Sequence, residues 1–520
     1  MVLFEIPVGV KFIQFFSNSC PGREYNRHLI CRTSVLILTF LTYACYHASR
    51  KPLSVVKSYF GRKCDGLVPP TGTDLNDTTW CDWAPFYGSD GSVLLGVLDS
   101  SFLFSYAGAM FLSGFVAERV NLRYFLAIGM ISSGVAGYLF GVAHRFDIHS
   151  LWYYIAVQIF GGIVQTTGWP GVVAVMGNWY GKGNRGLIFG LWNSHTSVGN
   201  IVGALVASSL LQRDWAFSFM IPSVMIAGMG FINFLFLIDS PESVGLDKPD
   251  TFLKESHCDA STNPRDNSGF LDTSHDDSAD SDTELLPSQP IDTKSINSNS
   301  GSNKEKAIGI IGALKIPGVI EFSMCLFFSK LVNYTFLYWL PFYINSSSSY
   351  SETLSADLST IFDVGGILGG IFAGAVSDYT GMSALTCTIM LIFAVPLLFL
   401  YNLFGSINLW LNIGMLALAG FFVNGPYALI TTAVSADLGT HKTLSTNSKA
   451  LATVTAIIDG TGSLGAAVGP LLAGVVYTYG WQNVFYMLMA SNVLALVAIL
   501  RLVFKELRLS CGSSASGSTV

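Results

Sequence analysis

The sequence predicts an all-α polytopic membrane protein of 12 transmembrane helices, arranged as two pseudo-symmetric six-helix halves. Hydrophobic residues make up 51% of the 520 residues and charged residues only 12%, and the mean hydropathy is +0.50. Apolar stretches long enough to cross a bilayer recur along the whole chain. An acidic segment separates the first six stretches from the last six, and parts of the two halves resemble each other. A repeated helical membrane protein follows from these observations.

Hydropathy places the twelve spans with centres near residues 41, 104, 132, 163, 199, 226, 330, 366, 392, 420, 462 and 491. The first apolar run is too long for a cleavable signal peptide and carries no small-residue cleavage site, so we expect span 1 to act as the insertion signal. Most Lys and Arg residues fall on one side of the membrane if both termini are cytosolic. This bias follows the positive-inside rule and predicts that orientation.

The chain is predicted to divide into four regions: a first half at 1–238, a linker at 239–306, a second half at 307–508 and a tail at 509–520. The linker holds 15 Asp and Glu against six Lys and Arg, with few aromatic residues and no apolar period. Such a composition buries too little apolar surface to fold. We therefore expect the linker to be disordered and cytosolic, and the tail to be disordered as well.

Spans 5 and 11 are related by an internal repeat. Residues 192–219 align without a gap to residues 458–485, with identities that cluster on Gly, Ala and Ser. Small residues let membrane helices approach closely, so both spans are predicted to be central packing helices. The contacts of these spans either slide during a rocking motion of the halves or are static. The pattern of small residues is the same for the two alternatives. The alignment pairs Asn193 with Asp459.

Arg50 and Lys51 stand at the far end of an otherwise uncharged run, residues 33–49. Cations carried by a membrane helix are costly unless water or an anion compensates them, so the pair indicates an anionic ligand. The alternative is that both side chains snorkel to the lipid headgroups. The pair lies on the side of the membrane that the charge bias leaves poor in cations, which favours a functional role.

Two loops carry a gating signature. Residues 114–123 read GFVAERVNLR and resemble the loop signature G-x-x-x-D-R-x-G-R-R of the major facilitator superfamily, and residues 374–378 repeat its first half. The resemblance implies the major facilitator fold, in which such loops latch the cytosolic ends of helices. It also implies gating roles for four residues: Glu118, Arg119, Arg123 and Asp378.

Longer strings in both halves carry a more specific resemblance. Residues 43–52 read YACYHASRKP, residues 192–200 read WNSHTSVGN and residues 455–463 read TAIIDGTGS, with further matches at 165–170 and 178–186. These strings resemble the organophosphate:phosphate antiporter family, and most closely its eukaryotic, glucose-6-phosphate transporter-like sugar-phosphate exchangers. The resemblance implies exchange of a sugar phosphate for inorganic phosphate.

The resemblance also implies roles for residues of the first half. Arg50 corresponds to the family's phosphate-binding arginine of span 1, with Lys51 beside it and Tyr43 two turns below; His47 belongs to the same motif. His195 comes one residue earlier than the histidine of the bacterial members. It is either a protonation-sensitive site residue or a hydrogen-bonded packing residue. Asn193, next to Trp192 in the matched string, is a further candidate for the substrate site.

In the second half, Asn333 stands where the bacterial members have a span 7 arginine. Lys330 lies one helical turn earlier and brings a cation to the same cavity. Tyr334 is a neighbouring candidate for the substrate site. Asp459 either balances Lys330 when the site is empty or makes hydrogen bonds within its own helix.

The predicted function is antiport by alternating access around a central cationic site. Two cations, Arg50 from one half and Lys330 from the other, would neutralise a phosphate group and draw the halves together. The alternatives are a proton-coupled organic-anion symporter and a non-transporting sugar-phosphate receptor. An enzyme is not expected, because the chain has no nucleophile elbow, metal cluster or P-loop. The partners are the phosphorylated sugar, inorganic phosphate and the lipid bilayer, with no cofactor, metal or nucleic acid.

The first non-cytosolic loop, about residues 60–91, holds Cys64, Cys81 and a glycosylation sequon at Asn76. A disulfide between the two cysteines and glycosylation of Asn76 are both predicted for an oxidising compartment. The resemblance implies the endoplasmic reticulum membrane, with another endomembrane or the plasma membrane as alternatives.

Overall fold

The computed structural model describes residues 6–11, 27–60, 83–86, 90–117, 119–180, 191–246, 310–435, 438 and 450–516, and this part of the chain is helical without a strand. The twelve spans are Arg27–Phe60, Gly91–Ala117, Leu122–Arg145, Leu151–Trp179, His195–Leu211, Trp215–Phe236, Val319–Ser347, Glu352–Thr380, Ser383–Phe404, Leu409–Val434, Ala450–Val476 and Trp481–Ser516. The predicted fold class is confirmed. Eleven helices in the described ranges are long and apolar enough to cross a membrane, and span 5 is a shorter apolar helix of 17 residues.

Two described spans of the first half are each broken into two helices. Span 1 consists of the helices Arg27–Arg50 and Pro52–Phe60, and span 4 consists of Leu151–Gln165 and Gly168–Trp179. The break in span 1 falls where Pro52, which lacks an N–H group, begins the second helix. Helix ends carry free backbone groups and a partial charge. The breaks therefore place Arg50 at the carboxyl end of a helix deep within the bundle.

The linker begins later than predicted. A short 3₁₀ helix covers Pro241–Val244 and is largely buried. Span 4 holds the chain before it, because Trp179 Nε1 donates to Ile238 O and Asn178 Nδ2 donates to Asp239 O, both at 2.9 Å. The expectation of disorder from residue 239 was therefore wrong for residues 239–246. Residues 247–309 lie outside the described ranges.

The tail prediction was also wrong at its start. Span 12 continues as a helix to Ser516, whereas disorder was expected from residue 509. Good helix formers continue from residue 502 to residue 509, and this stretch is anchored to span 9. The Glu506 carboxylate accepts the backbone N–H groups of Ala384 and Leu385 at 3.0 and 2.9 Å, at the start of span 9.

Glycines show that the two halves repeat in space. A Cβ atom at Gly203 of span 5 would lie 2.5 Å from Ala48 O of span 1, and one at Gly469 of span 11 would lie 2.5 Å from Leu331 O of span 7. Gly199 and Gly465 are equally crowded, against Ala44 O and Phe327 O respectively. Ala48 and Leu331 are the same number of residues apart in the chain as Ala44 and Phe327, so one alignment of span 1 with span 7 accounts for both contacts. The repeat seen between spans 5 and 11 therefore extends to spans 1 and 7.

One end of the bundle is closed by contacts between the halves. Ser208 Oγ on span 5 donates to Asp357 on span 8 at 2.5 Å. Ser100 Oγ on span 2 donates to Ala467 O on span 11 at 3.0 Å, and Gly96 packs against the same helix at Pro470. The cavity of the protein opens at the other end, where span 5 begins and span 8 ends. The structure is therefore a one-side-open state of a two-half protein.

Gly465→Ala is predicted to lower the thermal stability of the purified protein. A methyl group there would meet Phe327 O too closely, and forcing spans 7 and 11 apart costs about 1–3 kcal/mol. Gly414→Ala is the matched control, since the Gly414 position on span 10 is open. Thermal unfolding in detergent should show a lower Tm for the first variant only. Equal Tm values for both variants would contradict this account of the repeat.

Candidate substrate site

Among the described residues, one buried cation, Arg123, lies at the start of span 3, and four more are buried in spans 1 and 7: Arg50, Lys51, Lys57 and Lys330. Two of them have carboxylate partners, because Lys57 pairs with Asp99 and Lys330 pairs with Asp459 at 2.7 Å. Among the described residues, the other two have no carboxylate within ion-pair distance. A buried charge is costly unless it is paired and hydrogen-bonded, so an anion would compensate a cation that lacks a carboxylate, and it would reach Lys330 only in competition with Asp459.

Arg50 is held along one edge and open along the other. Its Nε donates to Gln165 Oε1 at 2.6 Å, and Gln165 Nε2 donates in turn to Ser49 Oγ at 3.0 Å, which fixes the direction of the amide. The guanidinium carbon lies 4.8 Å from the centroid of the Tyr106 ring. Arg50 Nη2 is buried without a hydrogen-bond partner in the described part of the chain. This planar fork has free donors that match the oxygens of a phosphate group.

Lys51 points away from Arg50, towards the second half. Its Nζ donates to Leu337 O of span 7 at 3.0 Å. That carbonyl has no donor in its own helix, because the residue four positions on is Pro341, which lacks an N–H group. Lys57 Nζ likewise donates to Tyr338 O, at 3.0 Å. Lys51 was predicted to bind substrate, but in this state its ammonium joins the two halves.

The repeat of spans 1 and 7 pairs Arg50 with Asn333 and His47 with Lys330. Asn333 therefore occupies the position in the second half that Arg50 occupies in the first. The comparison with the bacterial family members also placed Asn333 at the position of an arginine. Asn333 Nδ2 donates to Asn424 Oδ1 on span 10. The cation of the second half is Lys330, which is 4% exposed. It lies one helical turn before Asn333, the position that corresponds to Arg50.

Tyrosines form the walls between the cations. Four lie within electrostatic range of Arg50: Tyr43, Tyr106, Tyr334 and Tyr338. The ring centroid of Tyr427 lies 5.8 Å from Lys330 Nζ. The ring contacts of Tyr106 with Arg50 and of Tyr427 with Lys330 stabilise charge without neutralising it. Sequence reasoning found Tyr43 and Tyr334 through their motif and missed the other three, which have no local signal.

The two histidines differ in their surroundings. His47 Nδ1 lies 3.1 Å from Asn200 Oδ1, and Asn200 Nδ2 donates to Asp363 Oδ1 at 2.9 Å, across the two halves. His195 is fully buried among aromatic rings, with centroid distances of 4.4 Å to Trp192 and 4.7 Å to Tyr43. These are the contacts of a packing residue, and a role for His195 in substrate binding stays a prediction.

A cavity lies beside the cations. Spans 1, 5, 7, 8 and 10 contribute its walls. Its polar lining includes Lys51, Asn193, Asn200, Asn333, Asp363 and Asn424, and Tyr427 forms part of the wall towards Lys330. The cavity therefore adjoins the cation cluster and opens at the end of the bundle that is not closed.

The predicted gating residues lie near the open end. Asp378 is exposed and lines the mouth of the cavity. Arg119 Nη1 donates to Phe115 O at 2.8 Å, and Arg123 is buried with its Nη2 3.2 Å from Tyr124 Oη. Their role as a latch stays a prediction. Four other predicted residues lie outside the described ranges: Glu118, Cys64, Cys81 and Asn76.

Two pseudo-symmetric six-helix halves that enclose a cavity next to buried cations define a membrane transporter. The sequence profile described as "Major Facilitator Superfamily" matches residues 39–448, and the chain belongs to this superfamily. A solved structure of similar fold is a bacterial homolog of the human lysosomal transporter Spinster, inward-facing and unoccupied. It has a TM-score of 0.57 at 14% identity and covers 93% of this chain and 99% of that one.

Relatives of known name align over nearly the whole chain. Glucose-6-phosphate exchanger SLC37A2 of Mus musculus is 51% identical and covers 96% of this chain and 98% of its own length. The SLC37A2 of Homo sapiens is 51% identical, over 94% and 96% of the two chains. Glucose-6-phosphate exchanger SLC37A1 of Mus musculus is 46% identical, over 98% of each chain.

Asp459→Asn is predicted to tighten phosphate binding several-fold, because the carboxylate at 2.7 Å competes with phosphate for Lys330. Phosphate-dependent thermal stabilisation of the purified protein measures the half-saturation concentration. Glu321→Gln is the control, since it breaks an ion pair with Arg501 whose arginine is 87% exposed, in the same half. Weaker phosphate binding by Asp459→Asn would contradict the prediction and would mean that Asp459 orients Lys330 for its ligand.

Proposed function

We propose that this protein exchanges a sugar phosphate of the glucose 6-phosphate type for inorganic phosphate across a membrane. The observation that carries the proposal is the buried guanidinium of Arg50, whose Nη2 has no partner among the described residues. The relatives named glucose-6-phosphate exchangers support the same substrates. Arg50 and Lys330 would bind the phosphoryl group, one from each half of the protein.

The charge of the ligand suits these two cations. A phosphate monoester carries about 1.5 to 2 negative charges near neutral pH and offers three acceptor oxygens. Arg50 provides a planar pair of donors, whereas Lys330 provides a point charge that leaves Asp459 when phosphate arrives. Inorganic phosphate has the same charge and the same oxygens. It can therefore occupy the site on the return half of the cycle.

Obligatory exchange follows from the charge of the empty site. To move the opening to the other side, the halves must separate at the closed end and approach at the open end, with Arg50 between them. Without an anion, that closure would seal an unpaired cation inside the bundle, where desolvation is most costly. With phosphate bound, the charge is balanced. The loaded carrier therefore crosses readily, and the empty carrier does not.

We further propose that both termini and the linker are cytosolic, which places the open end of the cavity towards the cytosol. The bias of Lys and Arg supports this orientation. The first loop, with Asn76, then faces the other side of the membrane, where glycosylation takes place. We propose the endoplasmic reticulum membrane as the compartment, on the basis of the resemblance to the sugar-phosphate exchangers.

Counterflow in proteoliposomes tests the exchange. Purified protein is reconstituted with phosphate, glucose 6-phosphate or neither inside, and uptake of radiolabelled phosphate is measured. We expect rapid uptake with either solute inside and uptake near that of protein-free vesicles with neither. An imposed proton gradient should leave the rate of exchange unchanged. Uptake into empty vesicles that follows the proton gradient would contradict exchange and indicate proton-coupled symport. No uptake under any condition would indicate a receptor.

A further inference from the structure

The side chains that line the cavity differ in chemistry from those around Arg50. The polar lining of the cavity is made mainly of amides and hydroxyls, with the carboxylate of Asp363 inside and that of Asp378 at the mouth, in contrast to the cations and tyrosines around Arg50. We infer that Asp363, Asn200, Asn333 and Asn424 form a hydroxyl subsite, which binds the sugar hydroxyls of the substrate and distinguishes sugar phosphate from inorganic phosphate. The inference rests on the proposed function and names residues that select its substrate.

The subsite suits a neutral polyol better than a second anion. Asp363 is buried at 5% exposure, and its carboxylate would repel phosphate. The one cation in the cavity wall, Lys51, already donates to Leu337 O at 3.0 Å. A sugar hydroxyl both donates and accepts a hydrogen bond, so it can donate to a carboxylate and accept from an amide N–H. The lining offers this pairing.

Asp363 has acceptor capacity to spare. An ionised carboxylate offers about four lone-pair sites. In the described part of the chain, Asp363 accepts a hydrogen bond from Asn200 Nδ2 at 2.9 Å, and Asn200 is fixed in turn by His47. The carboxylate is therefore held in one place by a neighbour, yet it faces the cavity with acceptor sites left. Such a fixed acceptor selects for a hydroxyl at one position of a ring.

The subsite lies next to the cations that would hold the phosphoryl group of the substrate. Asn333 lies on span 7, one turn after Lys330, and Tyr427 separates the cavity from Lys330 Nζ at 5.8 Å. On the other side, Lys51 lines the cavity next to Arg50 in the chain. Arg50 and Lys330 do not themselves line the cavity, and the inference places the carbon skeleton of a ligand held between them in this adjoining space.

A purely structural role for Asp363 would be to join the halves through Asn200. Span 8 provides a matched control for that role. Asp357 lies on the same helix and also joins the halves, because it accepts a hydrogen bond from Ser208 Oγ of span 5 at 2.5 Å. Asp357 does not line the cavity. Asp357→Asn removes only a carboxylate that joins the halves. Asp363→Asn removes such a carboxylate and, in addition, the proposed acceptor for a sugar hydroxyl.

The test is competition for radiolabelled phosphate exchange in proteoliposomes by glucose 6-phosphate and by its monodeoxy analogues. For Asp363→Asn we expect the half-inhibitory concentration of glucose 6-phosphate to rise about tenfold, the equivalent of about 1.4 kcal/mol. The half-saturation concentration for phosphate itself should stay within about twofold. At least one deoxy analogue should compete poorly with the wild type and lose no further affinity in the variant. Asp357→Asn should leave both constants unchanged.

Equal weakening of phosphate and glucose 6-phosphate in Asp363→Asn would overturn the inference, since it indicates a structural role. Unchanged competition by glucose 6-phosphate would overturn it as well. Absence of phosphate exchange by the wild type is a different result and contradicts the proposed function. If the wild type shows no phosphate exchange, the subsite is tested by thermal stabilisation of the purified protein, which needs no transport. Stabilisation by glucose 6-phosphate and by phosphate is then compared for Asp363→Asn and Asp357→Asn.

Discussion

The arrangement of the protein depends on compensation of buried cations. Four cations are buried in the described parts of spans 1 and 7, and each needs a partner of opposite charge or a set of dipoles. Lys57 and Lys330 have carboxylates, and Lys51 has a backbone carbonyl. Arg50 has an amide, aromatic rings and a free edge. That incomplete compensation makes an anion the natural ligand of the site.

The same constraint joins the two halves in the observed state. Pro341 leaves Leu337 O without a helical donor, and the ammonium group that satisfies this carbonyl comes from Lys51 in the other half. Closer to the closed end, small side chains meet backbone carbonyls across spans 2 and 11, as between Ser100 Oγ and Ala467 O. These are single hydrogen bonds and glycine contacts, each worth about 1 kcal/mol. They are weak enough to exchange when the halves rock, and they hold the closed end while the cavity is open.

Much of this could be predicted from the sequence. Hydropathy predicted the spans, and the repeated small residues, Gly199 and Gly465 among them, predicted that spans 5 and 11 are packing helices. Arg50 was found because a charge in an apolar run is visible without a structure. Gln165, Tyr106 and Asp363 were missed, since each lies in a span with no local sign of its partner. Lys57 and Asp99 are far apart in the chain, and each alone resembles a charge at a span end. The ordered start of the linker was missed because its anchor, Trp179, lies in another span.

Equilibrium binding of radiolabelled phosphate to the purified protein tests the central claim most directly. The comparison is between the wild type, Arg50→Gln and Arg213→Gln, an exposed arginine at the closed end that serves as the control. The account predicts that Arg50→Gln weakens binding by about 2 kcal/mol or more, which is about thirtyfold, while the control binds as the wild type does. Phosphate binding of wild-type strength by a correctly folded Arg50→Gln variant would contradict it.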